Sequence, residues 1–281
     1  MLSREEYIEQ AYFFRTWRER LDEAVAAQEI LAGIREEILT TTRLPMAIDF
    51  LAGELQLHGR MGGGMERLAH YFAPFQAFVI SKAEEENARF DFRTALEILQ
   101  YEAEYRASES LIPAALFVYQ FECIARNKLG YDLGMLAVSK DPLFPPEWKE
   151  WIARIRFELG TVDFADIIYH RSLQALDDYR RQSGQPEHQS PVPILFDSQA
   201  GRIAKANRGK DPLFMFAALQ RQLGYPAVPR PKPARTKLVF DPQVELRFQR
   251  LETRMTLIEQ EQKGSVDLTP YMKRPVADPD S

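Results

Sequence analysis

The residues best suited to chemistry in this 281-residue sequence lie between positions 163 and 170. Asp163, Asp166 and His170 fall on one side of a predicted helix, with Asp166 and His170 one helical turn apart. Carboxylate and imidazole groups at this spacing can bind one metal ion or exchange a proton. The structural alternative is that acids in the first turn interact with the helix dipole and that His170 is a partly exposed polar residue.

Glu66 and His70 have the same four-residue spacing. A carboxylate-bridged di-metal bundle needs Glu-x-x-His pairs from two helices, and neither candidate pair has that spacing. Between helices, residues 60–67 (RMGGGMER) can place backbone N–H groups around a phosphate at a helix start. The segment follows a helix and lacks the Gly-Lys-Ser/Thr of a P-loop, so a flexible loop is favoured. The sequence therefore predicts no cofactor and no resident metal.

A basic segment in the last third of the chain is the strongest candidate for binding an anion. Residues 1–201 carry a net charge of −11, whereas residues 202–237 carry +8. The candidate ligands precede a predicted helix start at Asp211, and they are Arg202, Lys205, Arg208 and Lys210. This arrangement suits a phosphate-bearing ligand or a nucleic-acid backbone, although no aromatic residues interleave to stack bases. The alternative is that these bases pair with the acidic body and hold the segment in place.

The composition predicts a globular protein without a membrane span. The chain is 45% apolar and 11% aromatic, which is enough to bury a core. Its uncharged apolar runs, such as residues 71–80, are shorter than the ~20 residues that cross a bilayer. The N-terminal SREEYIEQ has acids where a signal peptide has bases, so a cytoplasmic location is expected. The single Cys123 excludes an internal disulfide and a cysteine-based zinc site, and we predict that it is a buried thiol.

The sequence predicts helices almost throughout the chain, and these helices must position the candidate site residues. Apolar residues recur at helical spacing, and Pro, Gly and Asp punctuate them. We expect an all-α fold, either an irregular helical bundle or a solenoid of antiparallel helical hairpins. Four parts are predicted: a helical body at 1–182, a basic proline-punctuated arm with one short helix at 183–240, a heptad helix at 241–263, and a disordered tail at 264–281.

Caps and stops predict the individual helix boundaries. Ser3 and Glu6 form an S-x-x-E capping box, and the helical stripe then continues to about residue 40 as one helix or two. Thr161 is predicted to cap a single helix from 162 to about 181. Two short β-like runs, 193–196 (PILF) and 237–240 (KLVF), can pair. Other predicted starts and stops are Pro45, Gly59, Pro74, Asp91, Pro113, Gly130, Asp211 and Gly224.

The last predicted helix carries an apolar seam. Its residues are spaced 4, 3, 4 and 3 apart, which is typical of a heptad pattern: Val244, Phe248, Leu251, Met255 and Ile258. The seam can pack on the body of the same chain or pair with a second chain.

Two resemblances accompany the helical pattern. LGYDLGMLAVSKDP at 129–142 resembles a tetratricopeptide hairpin, and FDFRTAL at 90–96 and LG at 159–160 resemble parts of one. The pattern departs from such a repeat in two ways. The units are spaced about 41 and then 30 residues apart, not a steady 34, and the Trp-x-x-Leu-Gly motif is absent. More widely, the chain resembles bacterial α-helical proteins with no assigned activity in the blocks HYFAPFQAF, RFDFRTALEIL, YQFECIARNKLGYD, ELGTVDFADIIYHRS and NRGKDPLFMFAALQRQLGYP. This resemblance implies a helical fold and transfers no catalytic residue.

The sequence contains no catalytic constellation that identifies a reaction. The leading hypothesis is a non-enzymatic helical scaffold or adaptor that binds a protein partner or associates with itself. One alternative is association with nucleic acid or the ribosome through residues 202–237, by salt-sensitive contacts. Another alternative is an enzyme with an unrecognised site in the helical body.

Overall fold

A computed structural model describes residues 2–21, 25–85, 90–230 and 255 of the chain. Within these residues the fold is all-α, as predicted, and contains no strand. No helix in this part of the chain is long and apolar enough to cross a membrane. The helices are α1 (Arg4–Arg20), α2 (Ala27–Glu37), α3 (Leu44–His58), α4 (Gly62–Arg67), α5 (Pro74–Ala83), α6 (Phe92–Arg106), α7 (Pro113–Asn127), α8 (Tyr131–Ser139), α9 (Pro146–Ile155), α10 (Phe164–Tyr169), α11 (Leu173–Ser183), α12 (Ser198–Ala206) and α13 (Pro212–Leu223).

Met1–Pro231 forms one compact unit whose helices make both local and distant contacts. The first helix, α1, packs along α6, and α7 packs against both α8 and α13. In a tetratricopeptide array each repeat contacts only its neighbours in sequence. The unit is therefore an irregular bundle and not a regular solenoid. Of the predicted seam at 241–263, only Met255 is described, as an exposed helical residue; the rest of the seam and the tail at 264–281 lie outside the described residues.

Many predicted boundaries are confirmed because side chains next to the helix ends fix them. Asp91 accepts a hydrogen bond from the Thr94 N–H at 2.8 Å and caps α6. Asp211 accepts from the Leu213 N–H at 2.9 Å and caps α13. Gly59 ends α3 in the left-handed conformation, with φ of 67°. Three more confirmed boundaries are the cap of α1 by Ser3 and the first-turn prolines Pro74 and Pro113.

Other expectations need correction. The single helix predicted from 162 to about 181 is two helices, because Ser172 caps α11 and its neighbours bond to the distant 193–196 run. The Leu173 N–H donates to the Phe196 carbonyl at 3.0 Å, and the Leu195 N–H donates to the Arg171 carbonyl at 2.8 Å. Residues 193–196 thus pair with this turn, while residues 237–240 lie outside the described part of the chain.

The predicted stop at Gly130 and the predicted lead-in helix are also refined. Lys128 ends α7 in the left-handed conformation, and Gly130 instead precedes α8, with φ of 92°. The lead-in, predicted as one helix or two, is two, α1 and α2. The basic arm contains α12 as well as the predicted α13.

Aromatic side chains from three separate segments, α7, α9 and residues 193–196, form the centre of the C-terminal half of the core. Phe117 of α7 lies 4.8 Å from Trp151 and 6.3 Å from Phe196, measured between ring centroids. Phe196 also contacts Trp148 at 5.4 Å and Trp151 at 5.6 Å. Because Phe196 is only 2% exposed, the segment before α12 is an integral part of the core.

A buried ionic cluster, which we call the Arg106 cluster, joins α6, α7 and the end of α8. Arg106 donates hydrogen bonds to Glu102 at 3.0 Å and to Asp141, and Gln120 donates to the same two carboxylates at 2.7 and 3.3 Å. All four residues are buried, and the most exposed of them, Arg106, is 4% exposed. Burial acts to raise the pKa of Asp141, but attraction to Arg106 and these hydrogen bonds outweigh it and lower that pKa.

Candidate functional site

The predicted basic cluster and the predicted metal residues fold against each other. Lys205 on α12 contacts Asp178 on α11, with an Nζ–Oδ2 distance of 2.7 Å. Arg208, just after α12, contacts Asp166 on α10, with an Nε–Oδ1 distance of 2.6 Å, and its guanidinium lies 4.0 Å from the Tyr169 ring centroid. Opposite charges that pair within the chain are less available to an outside ligand. These contacts support the interpretation that the bases hold the segment on the body.

Asp178 is the most strongly bonded acid of this surface. Its carboxylate accepts hydrogen bonds from Lys205 at 2.7 Å, from the Tyr169 hydroxyl at 2.8 Å and from Gln174 at 2.9 Å. The bond from Lys205, followed by that from Tyr169, lowers the pKa of Asp178 to about 2. The Asp178 carboxylate, which joins α11 to Lys205 on α12, therefore stays ionised at any pH well above 2.

The remaining predicted metal residues do not converge on one point. Asp163 caps α10 by accepting from the Ala165 N–H at 3.0 Å, and its second oxygen accepts from the Gly209 N–H at 2.7 Å. His170 is the exposed C-cap of α10. Within the described residues, no group of three or more His, Cys, Asp or Glu side chains could hold a metal ion.

Two of the predicted anion ligands remain exposed without an acidic partner among the described residues. They are Arg202 on α12 and Lys210, whose Nζ donates to the Ala206 carbonyl at 2.7 Å. Residues 231–237 of the basic segment lie outside the described part of the chain. Nucleic-acid binding by residues 202–237 stays a prediction, with half of its named side chains committed to internal ion pairs.

The glycine-rich segment is helical, and a carboxylate of the chain itself bonds to its first N–H groups. Gly62 begins α4, so the predicted flexible loop is a short helix that packs on α5. Glu84 accepts hydrogen bonds from the Met61 N–H at 2.6 Å and from the Gly62 N–H at 2.9 Å. Glu66 lies in α4, whereas His70 lies beyond its end and is exposed, so the two do not share a helical face.

Replacing Gly62 and Gly63 separately will show whether close packing or flexibility selects these glycines. A Cβ at Gly62 would lie 2.2 Å from the Ser81 Oγ and 2.9 Å from the Ser81 Cα, whereas a Cβ at Gly63 meets nothing within 4 Å in the described chain. We expect Gly62→Ala to reduce the free energy of unfolding by about 1–3 kcal/mol. Gly63→Ala should leave it unchanged or raise it by up to ~1 kcal/mol, since alanine favours a helix. Urea denaturation of both variants measures this difference, and equal losses would contradict it.

An apolar groove of about 450 Å³ lies between α4, α5 and α8. Met65, Phe72 and Ala77 form its floor, each 1% exposed, and Leu133 lies at its edge, 55% exposed. The other apolar lining residues are Ala69, Pro74, Phe78, Leu136 and Ala137. Large apolar side chains around a concave surface are typical of a site that binds another apolar group.

Close packing of α8 shapes this groove. A Cβ on Gly134 would lie 2.7 Å from the Ile124 Cδ1 and 3.2 Å from the Phe78 Cζ. The glycine therefore lets α8 approach both α5 and α7, to which it packs. As a result, Leu133, Leu136 and Ala137 face the groove while Met135 and Val138 are buried in the core.

Charged side chains of both signs border the groove. Lys82 and Glu85 pair with each other, with an Nζ–Oε1 distance of 2.6 Å. Lys140 and Glu66 are exposed and have no oppositely charged partner among the described residues. One free cation and one free anion on the border suit a ligand that itself carries both charges beside an apolar surface.

A larger cavity of about 690 Å³ lies between α1, the turn that follows α2 and the end of α6, but several of its polar groups bond to one another. The Arg4 Nε donates to the Ala107 carbonyl at 3.0 Å, and the Tyr12 hydroxyl donates to Glu37. The Leu39 N–H donates to Glu9 at 3.2 Å. The groove between α4, α5 and α8 is the better candidate site, because most of its lining residues are apolar.

Fold and groove together define a class, an irregular all-α bundle with an exposed apolar groove. Comparison with protein-family models, with curated proteins and with solved structures gives no match to this chain. Its function is therefore inferred from its own geometry.

The groove is not predicted from the sequence, although the composition of α8 contains one signal for it. Residues of α8 are apolar on most sides of the helix, which is expected when a helix is covered on most of its faces. In the structure one of those faces, with Leu133 and Leu136, is not covered by the described residues.

Proposed function

We propose that this protein is a non-enzymatic helical scaffold or adaptor, and that its groove between α4, α5 and α8 binds an amphipathic helix of a partner protein. The observation that carries the proposal is the apolar groove with Leu133 exposed at its edge. Amphipathic helices bind in such grooves through apolar residues at i, i+3 or i+4, and i+7. The free charges of Lys140 and Glu66 match the mixed charges that flank the apolar face of such a helix.

A displayed library of helix-forming peptides, selected on the immobilised full chain, tests the proposal. We expect the enriched peptides to share the i, i+3 or i+4, i+7 apolar pattern. Ala137→Glu should weaken their binding at least tenfold, about 1.4 kcal/mol, because a carboxylate in the groove would lose its hydration. Fluorescence anisotropy with a synthesised peptide gives the dissociation constants.

Two comparisons separate groove binding from other effects. Leu57→Glu changes an exposed apolar residue on α3, outside the groove, and should leave peptide affinity unchanged. Lys140→Glu should shift the selected peptides from acidic to basic residues at the flanking position. A library without enrichment, or enriched peptides that bind Ala137→Glu as tightly as the natural chain, would rule out the groove as the binding site.

A further inference from the structure

Helix α3 has an exposed apolar stripe in the described chain, at whose Phe50 the Arg67 guanidinium lies 5.6 Å from the ring centroid. Met46 is 67% exposed, Phe50 is 37% exposed and Leu57 is 75% exposed. Together with Gly53 they are spaced 4, 3 and 4 residues apart, so they lie along one face of the helix. The opposite face buries its own set of apolar residues, Leu44, Ala47, Ile48 and Leu51. We call the exposed face the α3 stripe.

Gly53 has no explanation within the described chain. It lies inside α3, where glycine is a poorer helix former than any residue except proline. Its φ is not positive, and a Cβ built on it meets nothing within 4 Å among the described residues. Neither its conformation nor its internal packing requires a glycine. A small residue on an exposed helix face is required when a second helix approaches closely.

We propose that the α3 stripe is a homodimer interface, in which α3 of two copies pack antiparallel across a two-fold axis. The stripe is symmetric about its own midpoint, since Phe50 and Gly53 are its inner positions and Met46 and Leu57 its outer ones. A two-fold axis at that midpoint places Phe50 of one copy against Gly53 of the other, and Met46 against Leu57. A two-fold contact needs such a self-complementary surface, and a large ring facing a glycine provides it.

The charges beside the stripe do not oppose a second copy as the occupant. Asp49 and Glu54 flank it, and two acidic helices in contact would repel each other. Each acid is already neutralised within its own chain. The Arg35 Nε lies 2.6 Å from Asp49, and Arg67 pairs with Glu54. The apolar stripe therefore meets its copy without unpaired like charges at these positions.

The dimer is expected to be weak and reversible. Helix α3 has 15 residues and is about 22 Å long, so the stripe alone covers less than the ~800 Å² per partner of a standard interface. Association should therefore depend on concentration in the micromolar range and above. This inference does not rest on the proposed groove, because the groove and the stripe share no lining residue.

Sedimentation equilibrium of the full chain from about 1 to 500 μM tests the dimer. The natural chain should change from monomer to dimer, and Leu57→Glu should weaken dimerisation at least tenfold. The matched control is Phe157→Glu, since Phe157 is equally exposed at 75% but lies outside α3, and it should dimerise like the natural chain. A natural chain that stays monomeric at 500 μM, or a dimer that Leu57→Glu leaves unchanged, would overturn the proposal.

Two further variants test the antiparallel register. Gly53→Ala should raise the melting temperature of the dilute monomer, since alanine favours a helix, and should weaken the dimer, since the new methyl meets Phe50 of the other copy. A mixture of Met46→Cys and Leu57→Cys chains should form intermolecular disulfides, because these positions face each other. Either chain alone should not, since its two cysteines would be about 16 Å apart. Crosslinking within one variant, with no crosslink between the two variants in the mixture, would show a parallel contact and overturn the register.

Discussion

Arg106→Met should reduce the free energy of unfolding by about 3–5 kcal/mol, the largest loss expected from a single charge in this protein. The substitution leaves Glu102 and Asp141 buried beside each other without a cation, and neither residue has any exposed surface. Both carboxylates lose their hydration on folding, and without Arg106 no cation compensates for that loss. Urea denaturation of the full chain, followed by circular dichroism, measures the loss.

A surface pair of the same geometry provides the control. Arg154 and Glu150 are also four residues apart on one helix, with an Nη2–Oε1 distance of 2.8 Å, but their side chains are 53% and 75% exposed. Arg154→Met should change the free energy of unfolding by no more than about 0.5 kcal/mol, because solvent screens this pair. Similar losses in the two variants would show that burial does not control the effect.

The Arg106 cluster also predicts how stability depends on pH. The pKa of Asp141 is lowered in the folded protein, so the unfolded chain binds its proton at a higher pH than the folded chain does. The stabilisation from Asp141 is then complete above the unfolded pKa of about 3.9 and decreases as the pH falls through the folded pKa. Arg106 stays charged throughout, since the carboxylates raise its pKa. Asp141→Asn should therefore show a shallower loss of stability below about pH 4 than the natural chain.

Phe196→Ala is the second large prediction and should lower the free energy of unfolding by about 3–5 kcal/mol. Phe196 is 2% exposed and packs between Trp148 and Trp151, with centroid distances of 5.4 and 5.6 Å. The substitution removes a whole ring from a close-packed aromatic core, and the surrounding rings cannot fill the cavity. Thermal and urea denaturation both measure this effect.

Phe157→Ala is the matched control, because it removes the same ring from a residue that is 75% exposed. We expect a change of no more than about 0.5 kcal/mol. If Phe196→Ala were equally mild, residues 193–196 would be loosely attached and not a part of the core.

The groove and the α3 stripe are two separate surfaces of the same helical body, and they differ in shape. Leu133 and Leu57 are both exposed apolar residues, yet one borders a concave surface and the other a single convex helix. Glutamate at one position should disturb only the contact made there. The two surfaces can therefore be tested independently in one folded protein.

The helix boundaries that the sequence predicted correctly depend on interactions within three or four residues. Asp91 and Asp211 cap the N–H groups of residues just after them, and Gly59 adopts a left-handed conformation that other residues disfavour. Such interactions are fully specified by local sequence. The all-α class followed from them and from the helical spacing of apolar residues.

Tertiary structure decided the features that depend on residues far apart in the chain. The break between α10 and α11 depends on residues 193–196, which bond to that turn. Ser172 is a residue type that caps helices, but nothing near it in sequence indicates this distant pairing. The sequence likewise supplied the candidate acids and bases, but only the packing of α10 and α12 joined Asp166 to Arg208.

The same reason explains the two proposed interaction surfaces. The sequence determined that α3 and α8 are apolar on more than one side. It did not determine which side would be covered, because burial depends on how all the helices pack together. Packing buried Leu51 and Met135 and left Leu57 and Leu133 exposed. Local chemistry thus fixed the helices, and long-range packing selected the surfaces that remain available to partners.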